Sequence, residues 1–128
     1  MSNEAISTEK APKAVGPYSQ AVKTGNLLFV SGQLPIDPAT GSMVEGTIQD
    51  KTRRSLTNLA AVAEAGGTSL KNAVKVTVFL ADIADFAAAN EVYKEFFESP
   101  FPARSAVQVA ALPLGGQIEI EAIFSIPA

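Results

Sequence analysis

The segment Ala73–Ala81 (AVKVTVFLA) decides the fold, because it is a nearly unbroken run of apolar and β-branched residues. Such a run is typical of a central strand that is covered on both faces. Apolar periodicity before this segment predicts a first helix from about Ile48 to Ala65. Gly66–Gly67 follows at the position where helices commonly end in a left-handed residue. After it, Asp82 can cap a second helix. The inward stripe of that helix consists of Phe86, Asn90, Tyr93 and Phe97.

Strand patterns lie on both sides of this helix–strand–helix unit. Residues 19–23 and 27–31 read as two strands joined by a tight turn at Gly25–Asn26, and residues 4–8 as a short edge strand. Residues 35–44 (PIDPATGSMV) read as a loop. At the other end, residues 103–112 and 117–126 are predicted to form a hairpin across PLGG.

This order of elements, ββαβαββ with an extra first strand, predicts one α+β domain over residues 1–128. The strands form a mixed sheet, and both helices pack on one of its faces. The other face then needs a cover. A small domain with an apolar sheet face and no third layer is expected to oligomerise, because association buries that face.

Composition limits the chemistry that the chain can perform. Its 128 residues are 47% hydrophobic with a net charge of −3, which suits one compact core and makes nucleic acid a poor default partner. Neither Cys nor His is present, so thiolate catalysis and the usual metal sites are excluded, and catalysis must use carboxylates, Arg, Lys, Tyr, Ser and water. No signal peptide or membrane span is indicated, and a cytoplasmic protein is expected.

A single arginine opens the apolar segment 102–113 (PARSAVQVAALP). If Leu112 pairs with Gln117 across the predicted hairpin, period-two alternation places Arg104 and Glu119 on one face. They would then lie roughly 20 Å apart along the ladder, at about 3.3 Å per residue. One small molecule could reach both only if two subunits build the site. The residues sharing that face would be Arg104, Ala106, Gln108, Glu119 and Glu121.

Each candidate also has an ordinary structural explanation. A lone Arg at the start of a strand is commonly a surface ion-pair residue. The two glutamates could form the solvated face of a strand, and Asn90 on a helical stripe could be a satisfied buried amide. Individually, these residues do not decide between structural and functional roles.

Four stretches together are more specific: GPYSQAV, LFVSGQLPIDPATG, VTVFLADIADFAAANEVYKEFF and FPARSAVQVAALPLGGQIEIEAI. They resemble the Rid family of reactive-intermediate deaminases, also called YjgF-like proteins, nearly end to end. The strongest element is P-A-R-S followed, after a short loop, by I-E-I-E. Within the family, the sequence is most similar to the RidA subfamily of 2-iminobutanoate/2-iminopropanoate deaminases.

The resemblance implies a chorismate-mutase-like subunit assembled as a homotrimer, with sites between subunits and no metal or cofactor. Arg104 matches the family arginine that binds the substrate carboxylate, and Glu119 the glutamate associated with the reacting water. Tyr18, Ser31 and Asn90 match residues that line the cleft, whereas Gly32 and Ala106 match positions that contribute backbone groups. Ala106 stands where many members have Cys, so thiol chemistry cannot occur there.

The implied activity is hydrolysis of reactive 2-imino acids and their enamines, namely 2-iminobutanoate and 2-iminopropanoate, to 2-keto acids and ammonia. Pyridoxal-phosphate-dependent dehydratases acting on threonine or serine would supply these compounds. A non-catalytic trimer that binds small 2-keto acids in a regulatory role is the main alternative. RNA cleavage is a second alternative, against which the acidic charge and the lack of His argue.

Overall fold

The computed structural model describes residues 2–128, which form a mixed sheet with two α-helices. The strands are β1 (Glu4–Ile6), β2 (Ala21–Thr24), β3 (Leu27–Gln33), β4 (Ile36–Asp37), β5 (Ser42–Met43), β6 (Ala73–Leu80), β7 (Ala103–Gln108) and β8 (Ile118–Ser125). The helices are α1 (Ile48–Ala65) and α2 (Phe86–Phe96). None of the helices within residues 2–128 combines the length and the apolar character needed to cross a membrane.

Six strands form the main sheet in the order β1-β2-β3-β8-β6-β7, while β4 and β5 form a separate small ladder. Neighbouring strands of the main sheet are antiparallel, except that β6 and β7 are parallel. A parallel pair needs a crossover connection, and α2 supplies it between β6 and β7. The mixed sheet of an α+β fold, which the sequence predicted, is therefore confirmed.

Both helices cover the same face of the sheet, as predicted. Alternate residues of the central strands are buried against them, including Val76, Leu80, Ile118 and Phe124, each fully buried. The helices contribute further residues to this core, namely Leu56, Leu59, Val62, Ala63, Ala89, Val92 and Tyr93. Strand alternation sends the intervening side chains to the opposite face, which no helix of residues 2–128 covers.

Helix α1 has the predicted bounds because the sequence carries signals at both ends. At its start, the Thr47 hydroxyl accepts from the Asp50 backbone N–H, and the Asp50 carboxylate accepts from the Thr47 N–H, a reciprocal capping box. At its end, Gly67 adopts the left-handed conformation with φ of 89°. Apolar periodicity and the Gly66–Gly67 pair were sufficient to locate this helix, and the capping box is a further signal on which the prediction did not rest.

The predicted hairpin between residues 103–112 and 117–126 is wrong, because β6 lies between β7 and β8. Strand β7 pairs in parallel with β6, with Arg104 opposite Val76, and β8 pairs with the other edge of β6. The PLGG segment is therefore a connection that passes the end of β6. A hairpin and such a connection have similar local sequences, since both need a turn between two strands.

Three smaller expectations also change. Residues 35–44 contain the short strands β4 and β5 and are not a pure loop. Strand β6 was expected to be covered on both faces, but within one chain only its helix-facing side chains are fully buried. The side chains that point to the other face are only partly buried. Asp82 accepts from the Ala84 N–H and so caps a 3₁₀ turn (Ile83–Asp85) that leads into α2, not α2 itself.

Candidate functional site

The predicted site residues form two groups on opposite faces of the sheet. On the helix-covered face, Arg104 and Ala106 of β7 lie opposite the buried Val76 and Val78, and Arg104 contacts Asn90 of α2. The other group lies at the uncovered face and consists of Tyr18, Ser31, Gly32 and Glu119. The expectation that Arg104 and Glu119 share a face is wrong. It depended on a hairpin that does not form.

The separation of Arg104 and Glu119 also differs from the predicted 20 Å along one ladder. Arg104 lies opposite Val76 and Glu119 opposite Phe79, so they are three positions apart along β6 and two strands apart across the sheet. These offsets correspond to roughly 10 Å in each direction. Because the two side chains also point to opposite faces, one chain cannot place both against the same small molecule.

Arg104 is an exposed cation in a fixed position. Its Nη1 donates to the Asn90 side-chain oxygen at 2.6 Å. Its guanidinium carbon lies 4.7 Å from the centre of the Tyr93 ring and 5.3 Å from that of Phe86. Within residues 2–128, the salt bridge formed is Arg53–Glu95, so no carboxylate neutralises Arg104. The ion-pair explanation for this arginine therefore has no support, and its free N–H groups remain available to an anion.

Glu119 lies on β8 among groups that disfavour its charge. Burial raises the pKa of the Glu119 carboxyl above its ordinary value, and the negative charge of Glu121 raises that pKa further. Glu121 lies two residues along the same strand and so on the same face. A carboxyl with a raised pKa can exchange protons nearer to neutral pH than an exposed one.

Gly32 provides the space that the Glu119 side chain occupies. A Cβ at position 32 would lie 2.7 Å from the Glu119 carboxyl carbon and 2.8 Å from Oε2. Strand β3 is irregular here, because its register against β8 shifts between Val30 and Gln33. The backbone of β3 therefore lies directly against the carboxylate of Glu119.

The segment after Gly32 is held by α1. The buried Asn58 amide donates to the carbonyl oxygens of Leu34 at 3.2 Å and Ile36 at 2.8 Å. Its own oxygen accepts two hydrogen bonds from Arg54. This buried polar group is thus satisfied on both sides, and it fixes the chain that leaves β3.

Ser31 and Tyr18 border an open depression of about 410 Å³ on the uncovered face. The Ser31 hydroxyl donates to the Ser19 carbonyl at 2.6 Å, and its N–H donates to the Gln20 carbonyl at 2.9 Å. Tyr18 is 52% exposed. Lys75, Thr77 and Glu121 complete the polar lining. Within one chain, this depression is a shallow surface and not an enclosed pocket.

Two residues beside the site were assigned by sequence only to a helical stripe. Phe86 and Tyr93 lie under the Arg104 guanidinium. With Asn90 between them, they occupy positions i, i+4 and i+7 of α2, which share one face. An aromatic–amide–aromatic pattern at this spacing is equally typical of a helix face that packs into the core, so the sequence carried no signal specific to this contact. No group of three or more His, Cys, Asp or Glu side chains in residues 2–128 is arranged to hold a metal ion.

Comparison with known proteins finds close relatives along nearly the whole chain. The family model described as endoribonuclease L-PSP matches residues 8–126. A 2-iminobutanoate/2-iminopropanoate deaminase from Capra hircus is 55% identical over 118 residues, which are 92% of this chain and 86% of the relative.

Solved structures show the same fold. A crystal structure from Thermotoga maritima has a TM-score of 0.95 and 57% identity, covering 98% of each chain. E. coli TdcF with bound serine has a TM-score of 0.91 and 44% identity, covering 97% of this chain and 99% of that one.

Proposed function

Since the chain belongs to the endoribonuclease L-PSP family, the family of the Rid or YjgF-like proteins, we propose that it is a deaminase of small 2-imino acids. The proposed reaction hydrolyses 2-iminobutanoate and 2-iminopropanoate, with their enamine tautomers, to 2-keto acids and ammonia. The name of the 55% identical Capra hircus relative supports this substrate class.

The observation that carries the proposal is the uncompensated guanidinium of Arg104. A planar guanidinium can donate two parallel hydrogen bonds to a carboxylate, which fixes both the position and the plane of a 2-imino acid. An ammonium group would attract the same charge without fixing the plane. The serine bound by the TdcF relative also carries a carboxylate, which is consistent with this type of ligand.

Glu119 is the proposed acid–base group. Water adds to the carbon of the protonated C=N bond, and Glu119 takes one proton from that water. The same proton then passes to the amino group of the tetrahedral intermediate. The C–N bond of the tetrahedral intermediate then breaks, which releases ammonia and forms the carbonyl group. The departing ammonia takes the proton of the remaining hydroxyl group and leaves as ammonium. A protonated imine is already electrophilic, so a positioned water and a proton carrier are sufficient.

We propose that the site is completed by a neighbouring copy of the chain in a homotrimer. One subunit would supply Arg104 with Asn90, and the next would supply Glu119. Tyr18, Ser31 and Gly32 would line the cleft beside Glu119, and Ala106 would offer its backbone from the edge strand β7. The support is geometric, because the two groups of site residues lie on opposite faces of one sheet.

The uncovered sheet face supports the same assembly. It exposes Phe29, which is 42% accessible, and it includes the depression bordered by Tyr18 and Ser31. A subunit packed on that face would remove apolar surface from water and would bury Glu119 further. Further burial would raise the Glu119 pKa beyond the increase present in the single chain.

The family description also contains the word endoribonuclease, but the chain gives this activity little support. Its net charge is −3, and it contains no His to act as the usual base for RNA cleavage.

The proposed substrates are short-lived, so we expect the protein to act in the cytoplasm beside the pyridoxal-phosphate-dependent dehydratases that release them.

The test is to generate 2-iminobutanoate with a threonine dehydratase and to measure the rate of 2-ketobutyrate and ammonia release, with and without the protein. We expect the protein to raise the rate of 2-ketobutyrate and ammonia release. The Arg104→Ala variant should leave that rate at the level measured without protein. Equal rates with and without the protein would eliminate the deaminase proposal. Binding of 2-ketobutyrate without acceleration would favour the non-catalytic trimer.

A further inference from the structure

We propose that Phe86 and Tyr93, together termed the aromatic pedestal, are positioning residues that hold the Arg104 guanidinium in the plane needed to bind a carboxylate. That the ligand is a carboxylate rests on the proposed function, whereas the contact of Phe86 and Tyr93 with Arg104 is independent of it. The rings lie 5.3 and 4.7 Å below the guanidinium carbon, within the range of cation–π attraction.

The pedestal and Asn90 restrict different motions of Arg104. A planar cation over two aromatic faces resists tilting, whereas a hydrogen bond at its edge resists rotation within the plane. Nη1 of Arg104 makes that edge contact with Asn90 at 2.6 Å. Since all three partners lie on one face of α2, a single rigid element defines the orientation of the guanidinium. A pre-oriented arginine loses less conformational freedom when a ligand binds.

Tyr93 is itself anchored in the core. It is only 6% exposed, and its ring stacks on Phe97 with centroids 4.5 Å apart. Its hydroxyl is buried without a hydrogen-bond partner in residues 2–128. Tyr93 therefore contacts Arg104 through its ring and not through its hydroxyl.

The main alternative is that Phe86 and Tyr93 are ordinary core residues that happen to lie below Arg104. Loss of core packing would weaken all ligands and lower thermal stability, whereas loss of the pedestal would act on the charge-dependent part of binding. The two explanations thus differ in the selectivity between a carboxylate and an uncharged analogue of the same shape.

The experiment compares Phe86→Leu and Tyr93→Leu with Phe96→Leu, a matched change on the same helix at a ring that makes no cation–π contact with Arg104. Calorimetry measures the Kd of 2-ketobutyrate and of its methyl ester. In both pedestal variants, we expect the Kd of the acid to rise about 3- to 30-fold and that of the ester to change little. Tyr93→Phe keeps the ring and should restore most of the affinity for the acid. Equal losses for acid and ester would overturn the inference.

A second readout needs no ligand. In the unmodified protein, the NMR signals of the Arg104 Nε–H group should carry an upfield ring-current shift. The shift should decrease in both leucine variants of the pedestal and persist in Phe96→Leu. An unshifted signal in the unmodified protein would overturn the inference. If that protein binds neither 2-ketobutyrate nor the ester, the proposed function fails, and the Arg104 signal still decides the role of the pedestal.

Discussion

Gly32→Ala should separate the position of Glu119 from the stability of the fold. The added Cβ would lie 2.7 Å from the Glu119 carboxyl carbon, about 0.7 Å closer than the 3.4 Å at which ordinary contact begins. Gly32 does not have a positive φ, so an alanine causes no backbone strain there. The end of the flexible Glu119 side chain must therefore move, while the two strands can stay in place.

The expected effect is large on the reaction and small on folding. Alanine restricts the unfolded chain relative to glycine, which stabilises the fold by about 0.4–1 kcal/mol and offsets the cost of moving Glu119. A displacement approaching 1 Å of a catalytic group can lower turnover about 10²-fold. Imine hydrolysis and thermal unfolding, measured on the same preparation, test both parts.

A double-mutant comparison shows whether the effect passes through Glu119. In a Glu119→Gln background, Gly32→Ala should cause little additional loss of turnover, because the group that it displaces no longer acts as a base. If Gly32→Ala retains full turnover, or if the losses from the two substitutions multiply fully, the proposed role of Gly32 is refuted.

Three further predictions concern the charged residues. Arg104→Ala should keep the fold and weaken carboxylate binding by about 2–5 kcal/mol, with Arg104→Lys recovering a minor part; calorimetry with 2-ketobutyrate tests this, and unfolding of the variant would contradict it. Glu119→Gln should lower turnover about 10²- to 10⁴-fold while binding of 2-ketobutyrate is retained, and loss of that binding would contradict the acid–base role. Glu121→Gln should shift the acidic limb of the pH–rate profile to lower pH, because the Glu121 charge raises the Glu119 pKa; an unchanged limb would show that this charge does not reach Glu119.

The sequence predicted the elements better than their pairing. Helix α1 was located because its apolar periodicity ends at Gly66–Gly67, and β6 because of its β-branched run. These signals are local. The pairing of β7 with β6 depends on a crossover through α2, and nothing within residues 103–126 distinguishes that connection from a hairpin.

The sequence proposed the candidate residues of the site but gave a wrong geometry for them. Arg104 and Glu119 were proposed from P-A-R-S and I-E-I-E, but the wrong hairpin placed them on one face of the sheet. Period-two alternation fixes faces only relative to a known strand pairing. A site built by two chains remains our proposal, and its support is now that the Arg104 and Glu119 side chains point to opposite faces. The pedestal was missed because an aromatic helical stripe has the same sequence pattern whether it supports a core or a ligand-binding arginine.

Mixing two inactive variants tests most directly whether the site is shared between chains. Arg104→Ala and Glu119→Gln subunits, carrying different tags, would be co-expressed, and the mixed trimers isolated and assayed for imine hydrolysis. If one chain supplies Arg104 and its neighbour Glu119, the isolated mixed trimers should regain about a third of the normal sites, because a ring that contains both variants has one interface at which an intact Arg104 meets an intact Glu119. Mixed trimers that are no more active than the two parents would contradict a site built from both faces of neighbouring chains.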